Sequence, residues 1–189
     1  MLTRGRRLQR QMGEMLMEPT MGSLVERVRS GDREAFALFV ERYGLMVLRT
    51  ARLIVRDPDL AEDVCQETFL KSWRRISSLR DQDPAAWLNR IAANEAVSAW
   101  RRRHRLQALR ERVGLNAGNR ADITPEERID IGRALDRLKV EDRAVIVLHY
   151  YRDLSVEDTA RALHIPVDTT KSRLKAALAR LRQMSWTEE

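Results

Sequence analysis

Apolar residues recur at three- and four-residue steps over most of the chain, and no useful stretch alternates with the period of two that a half-buried strand requires. The pattern therefore predicts helices separated by clear punctuation. Ser30, Gly31 and Asp32 interrupt the first run, and Asp32 is placed to cap a helix whose Phe36, Phe39, Val40, Tyr43, Met46 and Val47 share a face. Asp57-Pro58 predicts a second start, with proline at the first helical position, where its missing N–H is not needed. Asp83-Pro84 repeats that signal ahead of Trp87, Leu88, Ile91 and Ala92. Three or four helices are thus expected between residues 24 and 105.

From Leu106 to Ile123 the apolar face fades and Gly114, Asn116, Gly118 and Asn119 enter, which marks a linker. Thr124, Pro125 and Glu127 then form a capping box, and helical periodicity resumes to about Met184. The expected class is all-α, with two small helical domains, 23–105 and 124–184, joined by a flexible linker at 106–123 and followed by a tail at 185–189. Residues 1–22 hold methionines at 1, 12, 15, 17 and 21 but no apolar periodicity, and are expected to form a disordered extension, as from a translation start assigned too far upstream.

Composition removes several classes of function. The chain has 189 residues, room for one ordinary domain or two small ones and too few for a large catalytic barrel. No apolar run approaches the roughly 20 residues of a spanning helix, and no secretory signal is evident, so a cytoplasmic protein without membrane insertion is expected. Cys65 is the one cysteine, which excludes an internal disulfide and suits a small buried apolar role. His104, His149 and His164 are not at ligand spacing, and the glycines form no phosphate-cradling loop. No catalytic residue, metal site, cofactor or small-molecule substrate is expected.

The net charge of +7 is unevenly spread. Six arginines, Arg101, Arg102, Arg103, Arg105, Arg110 and Arg112, face a single glutamate within residues 101–112. That density of guanidinium groups suits a phosphate backbone, although a solvated helix end explains it equally well. Asp57 to Glu67 has the opposite character. On a helix starting at Pro58, Asp59, Glu62, Asp63, Gln66 and Glu67 fall on one face, and Leu60, Ala61, Val64, Cys65 and Phe69 turn toward the core. Such a stripe repels itself unless a cationic partner meets it, and its alternative is an acidic helix start favoured by the macrodipole.

Residues 154–182 read as a helix-turn-helix. Ser155 caps a short helix with Val156, Thr159, Ala160 and Leu163 inward, His164-Ile165-Pro166 make the turn, and Leu174, Leu178 and Leu181 anchor a second helix from Val167. Thr169, Thr170, Lys171, Ser172, Arg173, Lys175, Arg180 and Arg182 supply groups suited to phosphates and base edges. A plain amphipathic helical hairpin is the alternative.

Taken together the halves resemble a known family. Ala61-Glu62-Asp63-Val64-Cys65-Gln66-Glu67-Thr68-Phe69, Trp73, Trp87-Leu88-Asn89-Arg90-Ile91-Ala92-Ala93-Asn94 and the arginines after Trp100 are similar to the second region of extracytoplasmic-function sigma factors of the sigma-70 family. Leu138, Glu141-Asp142-Arg143, Tyr150, Leu154-Ser155 and Thr169-Thr170-Lys171-Ser172-Arg173-Leu174 are similar to the fourth. The likeness spans about residues 24–183. It implies that Asp59, Glu62, Asp63, Gln66 and Glu67 dock on the largest-subunit clamp of core RNA polymerase. It implies minus-ten promoter DNA binding by Arg80, Asp81, Gln82, Asp83, Asn89, Arg90, Asn94, Arg101, Arg102 and Arg103, with a base turned out of the stack. Thr169, Thr170, Lys171, Arg173, Lys175 and Arg180 would read the minus-thirty-five element. An anti-sigma factor is implied as a further partner.

Two other classes compete. A dimeric helix-turn-helix regulator would need neither the acidic stripe nor the second-region motif. A magnesium-dependent hydrolase built on Asp59, Glu62 and Asp63 fares worse, because carboxylates on one helical turn do not converge on a metal.

Overall fold

The computed structural model describes residues 21–79, 83–113 and 134–185. Of the expected extension only the last two residues are described, and Arg80, Asp81, Gln82 and the capping box at Thr124 lie outside the described residues. Every regular element among the described residues is helical: α1 (Met21–Arg29), α2 (Arg33–Val55), α3 (Pro58–Arg75), a 3-10 turn (Ile76–Ser78), α4 (Pro84–Arg112), α5 (Val140–Ile146), α6 (Val156–Leu163) and α7 (Val167–Ser185). A π-helical turn, Val147–Tyr151, prolongs α5.

The chain separates into a unit ending at Arg42 and a unit beginning at Tyr43. In the first, Leu24, Val28, Ala35 and Phe39 are buried, and Asp32 caps α2 by accepting the Ala35 N–H at 3.0 Å. That hydrogen bond, then the one from Arg27, holds the Asp32 carboxyl below its ordinary range. Gly31 turns the chain at φ 87°, a conformation that glycine adopts without strain.

The two proline starts form as the sequence predicts. Asp57 accepts the Leu60 N–H at 2.8 Å, and Asp83 accepts those of Ala85 and Ala86 at 3.2 and 3.1 Å. In the second unit one buried cluster joins Ala51, Ile54 and Val55 of α2, Leu60, Ala61 and Val64 of α3, and Ala93, Ala96 and Ala99 of α4. The same cluster continues into Val140 and Ala144 of α5, Val147 and Leu148 of the π-helical turn, and Ala162 of α6. A neighbouring cluster joins Leu135, Leu138, Val145 and Ile146 to Leu174 and Ala177 of α7. Full burial of a side chain such as Ile54 or Leu148 contributes about 1.5–3 kcal/mol.

Helix α4 runs to Arg112, seven residues into the segment whose composition reads as linker. Leu106 to Arg112 consists wholly of strong helix formers, so propensity extends the helix although Leu106 and Leu109 stay exposed.

Candidate functional site

Helix α3 presents the acidic stripe outward. Leu60, Ala61, Val64 and Phe69 are buried, whereas Asp59, Glu62, Asp63 and Gln66 are exposed and Glu67 is half-buried. Arg52 approaches Glu62 at 3.6 Å, and Lys71 approaches Glu67 at 3.7 Å while closing on Glu95 of α4 at 2.6 Å. Leu70 continues the stripe at the next helical step and is 53% exposed. The charge pattern alone misses it; the signal is an apolar residue four positions beyond Gln66 on the polar face. Cys65 is half-buried beside the stripe with its Sγ 3.8 Å from the Gly44 carbonyl oxygen; burial, then Glu62, push its thiol pKa up.

Helix α4 distributes its residues over two faces. Asn89 is buried, and its Oδ1 accepts from the Thr50 hydroxyl at 2.8 Å. Arg152 donates from Nε to Thr50 Oγ1 at 2.8 Å and from Nη2 to the Met46 carbonyl at 2.7 Å. Burial lowers the Arg152 pKa, and its guanidinium lies 4.6 Å from the centre of the Tyr151 ring. Tyr150 and Tyr151 are both exposed at the π-helical turn. Arg90, Asn94 and Arg101 form a second face, where Asn94 Nδ2 donates to the Ala162 carbonyl at 2.6 Å. Arg101 donates to Glu141 Oε1 from Nε at 2.9 Å and from Nη2 at 2.7 Å. Arg103 pairs with Asp57 at 3.0 Å, and Arg102 is exposed. Asp83 is exposed at the start of α4, its carboxylate engaged as the cap.

Burial pushes the Glu141 carboxyl up, but the Arg101 hydrogen bonds, a backbone hydrogen bond and the charges of Arg101 and Arg173 outweigh it and hold it below its ordinary range. Arg143 is buried on α5 with no hydrogen-bond partner for Nε. Desolvation lowers its pKa to about 10, with Arg56 adding to that and Asp136 and Glu141 opposing it.

The helix-turn-helix has the expected caps. Ser155 Oγ accepts the Asp158 N–H at 2.9 Å and donates to the Asp158 carboxylate at 2.7 Å. α6 ends at His164, left-handed at φ 54°, with Ile165 N–H reaching the Ala160 carbonyl at 3.1 Å and His164 N–H that of Arg161 at 3.4 Å, a Schellman closure. On α7, Asp168, Lys171, Ser172, Lys175, Ala179 and Arg182 share an exposed face. Thr170 is buried and bonds back to the Pro166 carbonyl at 3.2 Å, and Thr169 and Arg173 are half-buried. Arg180 pairs with the buried Asp142 at 2.9 Å. Among the described residues no cluster of histidine, cysteine or carboxylate side chains is arranged to hold a metal ion, and no helix is long and apolar enough to cross a membrane.

The geometry is that of a helix-turn-helix, α6 and α7, beside a helical bundle whose α3 exposes an acidic face. Residues 39–106 match Sigma-70 region 2 and residues 128–181 match Sigma-70, region 4. The chain is 33% identical over 175 residues to RNA polymerase sigma-H factor of Pseudomonas aeruginosa, covering 85% of this chain and 91% of that one. It is 36% identical over 157 residues to ECF RNA polymerase sigma factor SigM of Mycobacterium tuberculosis, covering 82% and 79%. The sigma factor RpoE of Bartonella quintana, solved with the anti-sigma factor NepR, superposes with a TM-score of 0.63 at 26% identity over 82% of this chain and 98% of that one. CnrH, solved with the cytosolic domain of CnrY, gives 0.61 at 25% over 88% and 97%. The chain belongs to the extracytoplasmic-function class of the sigma-70 family, and is an RNA polymerase sigma factor that directs transcription initiation.

Proposed function

We propose that the exposed stripe Asp59, Glu62, Asp63 and Gln66 of α3, with Glu67 at its edge and Leu70 at its end, is the surface that docks on the clamp of core RNA polymerase. The observation that carries this reading is a helix with one face in the core and five consecutive stripe positions of acidic or amide character on the other. Neighbouring carboxylates raise one another's energy, and a basic partner relieves that repulsion while steering encounter. On α4, Arg90, Asn94, Arg101 and Arg102 supply the minus-ten contacts, joined by Arg80, Asp81 and Gln82. Asn89 supports that surface from beneath through Thr50.

For the minus-thirty-five element, exposure favours Lys171, Ser172, Lys175 and Arg182 as the groups facing duplex DNA. Thr170 shapes the turn, and Arg180 braces α7 against Asp142. The protein acts through binding, with no catalytic step of its own. The solved relatives RpoE and CnrH are held by NepR and CnrY, which supports control of this chain by an anti-sigma factor.

The deciding experiment is association of the full chain with purified core enzyme after Glu62→Lys and Asp63→Lys together. Association should be abolished at moderate ionic strength while circular dichroism keeps its helical signal. Association equal to that of the unchanged chain refutes the docking assignment.

A further inference from the structure

Residues 167–182 carry five cations, Lys171, Arg173, Lys175, Arg180 and Arg182, and a single carboxylate, Asp168. Asp168 is the second residue of α7 and shares an exposed face with Lys171, Ser172 and Lys175, at i, i+3, i+4 and i+7. On a surface that meets a polyanion a carboxylate is costly, because every nearby phosphate repels it.

The group is not consumed inside the protein. Asp158 is held by Ser155 and Arg161, Asp142 by Arg180 and Glu141 by Arg101. No hydrogen bond or ion pair from another described residue engages the Asp168 carboxylate. The macrodipole favours an acid in the first turn, but that effect acts on stability alone.

An ionised carboxylate only accepts hydrogen bonds. The major groove offers donors at two base edges, the N4 amino group of cytosine and the N6 amino group of adenine. Adenine sets its N7 acceptor beside the amino group, while guanine and thymine present acceptors, O6 with N7 and O4. Cytosine therefore matches a carboxylate best, and guanine and thymine repel it. The first turn of a recognition helix is where side chains reach base edges.

We infer that Asp168 selects a cytosine in the minus-thirty-five element, accepting from its N4 amino group and rejecting guanine and thymine by repulsion. This rests on the assignment of α7 to that element. Repulsion from the phosphates is met at every site, and the compensating hydrogen bond only where cytosine stands opposite. Exclusion thus contributes to selectivity alongside attraction.

The test uses the full chain bound to core enzyme and duplex promoters whose upstream half is randomised, with the bound pool sequenced. The parent should enrich cytosine about tenfold over guanine and thymine at one position. Asp168→Asn keeps the shape but can both donate and accept, so preference at that position should move to adenine, whose N6 and N7 an amide pairs bidentately. Asp168→Ala should leave the four bases there within about twofold of one another. Both variants should bind a duplex of unrelated sequence about threefold more tightly, since one repulsive charge is gone. The dependence of that affinity on salt should keep its slope, because no phosphate contact is lost.

Thermal melts of the same samples separate the dipole effect from base reading. Unchanged base preferences in both variants overturn the inference whether or not Tm falls, and so does a parent that shows no cytosine enrichment at the position that responds to Asp168→Asn. Lys171→Ala combined with Lys175→Ala probes the α7 assignment itself. If that pair weakens binding to the upstream duplex while both Asp168 variants keep the parental preferences, the cytosine reading alone falls. If none of these changes alters upstream binding or base preference, the assignment of α7 falls with it.

Discussion

Thr50→Val is the sharpest perturbation of the network beneath α4, because valine keeps the shape of the side chain and deletes only the hydroxyl. Thr50 is fully buried, and its one hydroxyl proton has two acceptors in reach, Asn89 Oδ1 at 2.8 Å and the Met46 carbonyl at 3.0 Å. The Met46 carbonyl is already served by Arg152 Nη2 at 2.7 Å, so the proton belongs to Asn89. Valine strands Asn89 Oδ1, which has almost no solvent exposure, at a cost of about 1–3 kcal/mol. Arg152 also loses its Nε acceptor, but it is only half-buried, retains Met46 and can turn toward water, so its share is smaller.

The total expected is about 2–3 kcal/mol, or a fall in Tm of roughly 4–12 °C for a chain of this size. Urea unfolding followed by circular dichroism measures it, and a double-mutant cycle with Asn89→Ala should return a coupling above about 0.5 kcal/mol. A Thr50→Val chain within about 0.5 kcal/mol of the parent would refute the claim that this hydroxyl organises the buried face of α4.

His164→Gly should stabilise the chain by up to about 1 kcal/mol in the same unfolding assay, since glycine removes the strain of the left-handed closure at φ 54° and returns part of the gain as unfolded-state entropy. Arg143→Met should be neutral or stabilising, because it replaces a buried cation lacking a partner at Nε by an apolar side chain of similar length; a loss above about 2 kcal/mol would show that the charge is compensated. Glu141 and Asp158 have lowered pKa values in the folded chain, so their contribution is present above the ordinary carboxylate values of 4.5 and 3.8 and is lost as pH falls through the folded values. Thermal melts between pH 6 and pH 2.5 should accordingly show a shallower acid limb for Glu141→Gln combined with Asp158→Asn than for the parent chain.

Much of the fold is legible in local signals. Asp57-Pro58 and Asp83-Pro84 determine where α3 and α4 begin because the cap and the proline act within one turn, and the stripe on α3 follows from spacing alone. Ser155 and the left-handed His164 are equally local. What one helix cannot reveal is which of its polar residues another helix will cover. Asn89 and Thr170 look like DNA readers by type and position, yet both are buried, Asn89 because Thr50 lies 39 residues away in sequence and against it in space. Arg180 and Arg101 likewise read as free cations until Asp142 and Glu141 are brought to them. The exposed tyrosines at 150 and 151 follow from a π-helical turn, whose wider winding shifts the register that a 3.6-residue period assumes.

The buried cluster that α4 shares with the carboxyl-terminal helices is rich in methyl groups, with Ala93, Ala96 and Ala99 on one side and Ala144 and Ala162 on the other, beside the larger Val140, Val147 and Leu148. Alanines let backbones approach closely but each contributes only about 0.8 kcal/mol of burial, far less than a leucine would. They also have no side-chain rotamers to free or freeze. Where alanine meets alanine such a joint can part without leaving deep sockets, and the apolar area laid bare comes mainly from Val140, Val147 and Leu148. Lining it with leucines would produce a tighter lock and, once opened, a stickier protein.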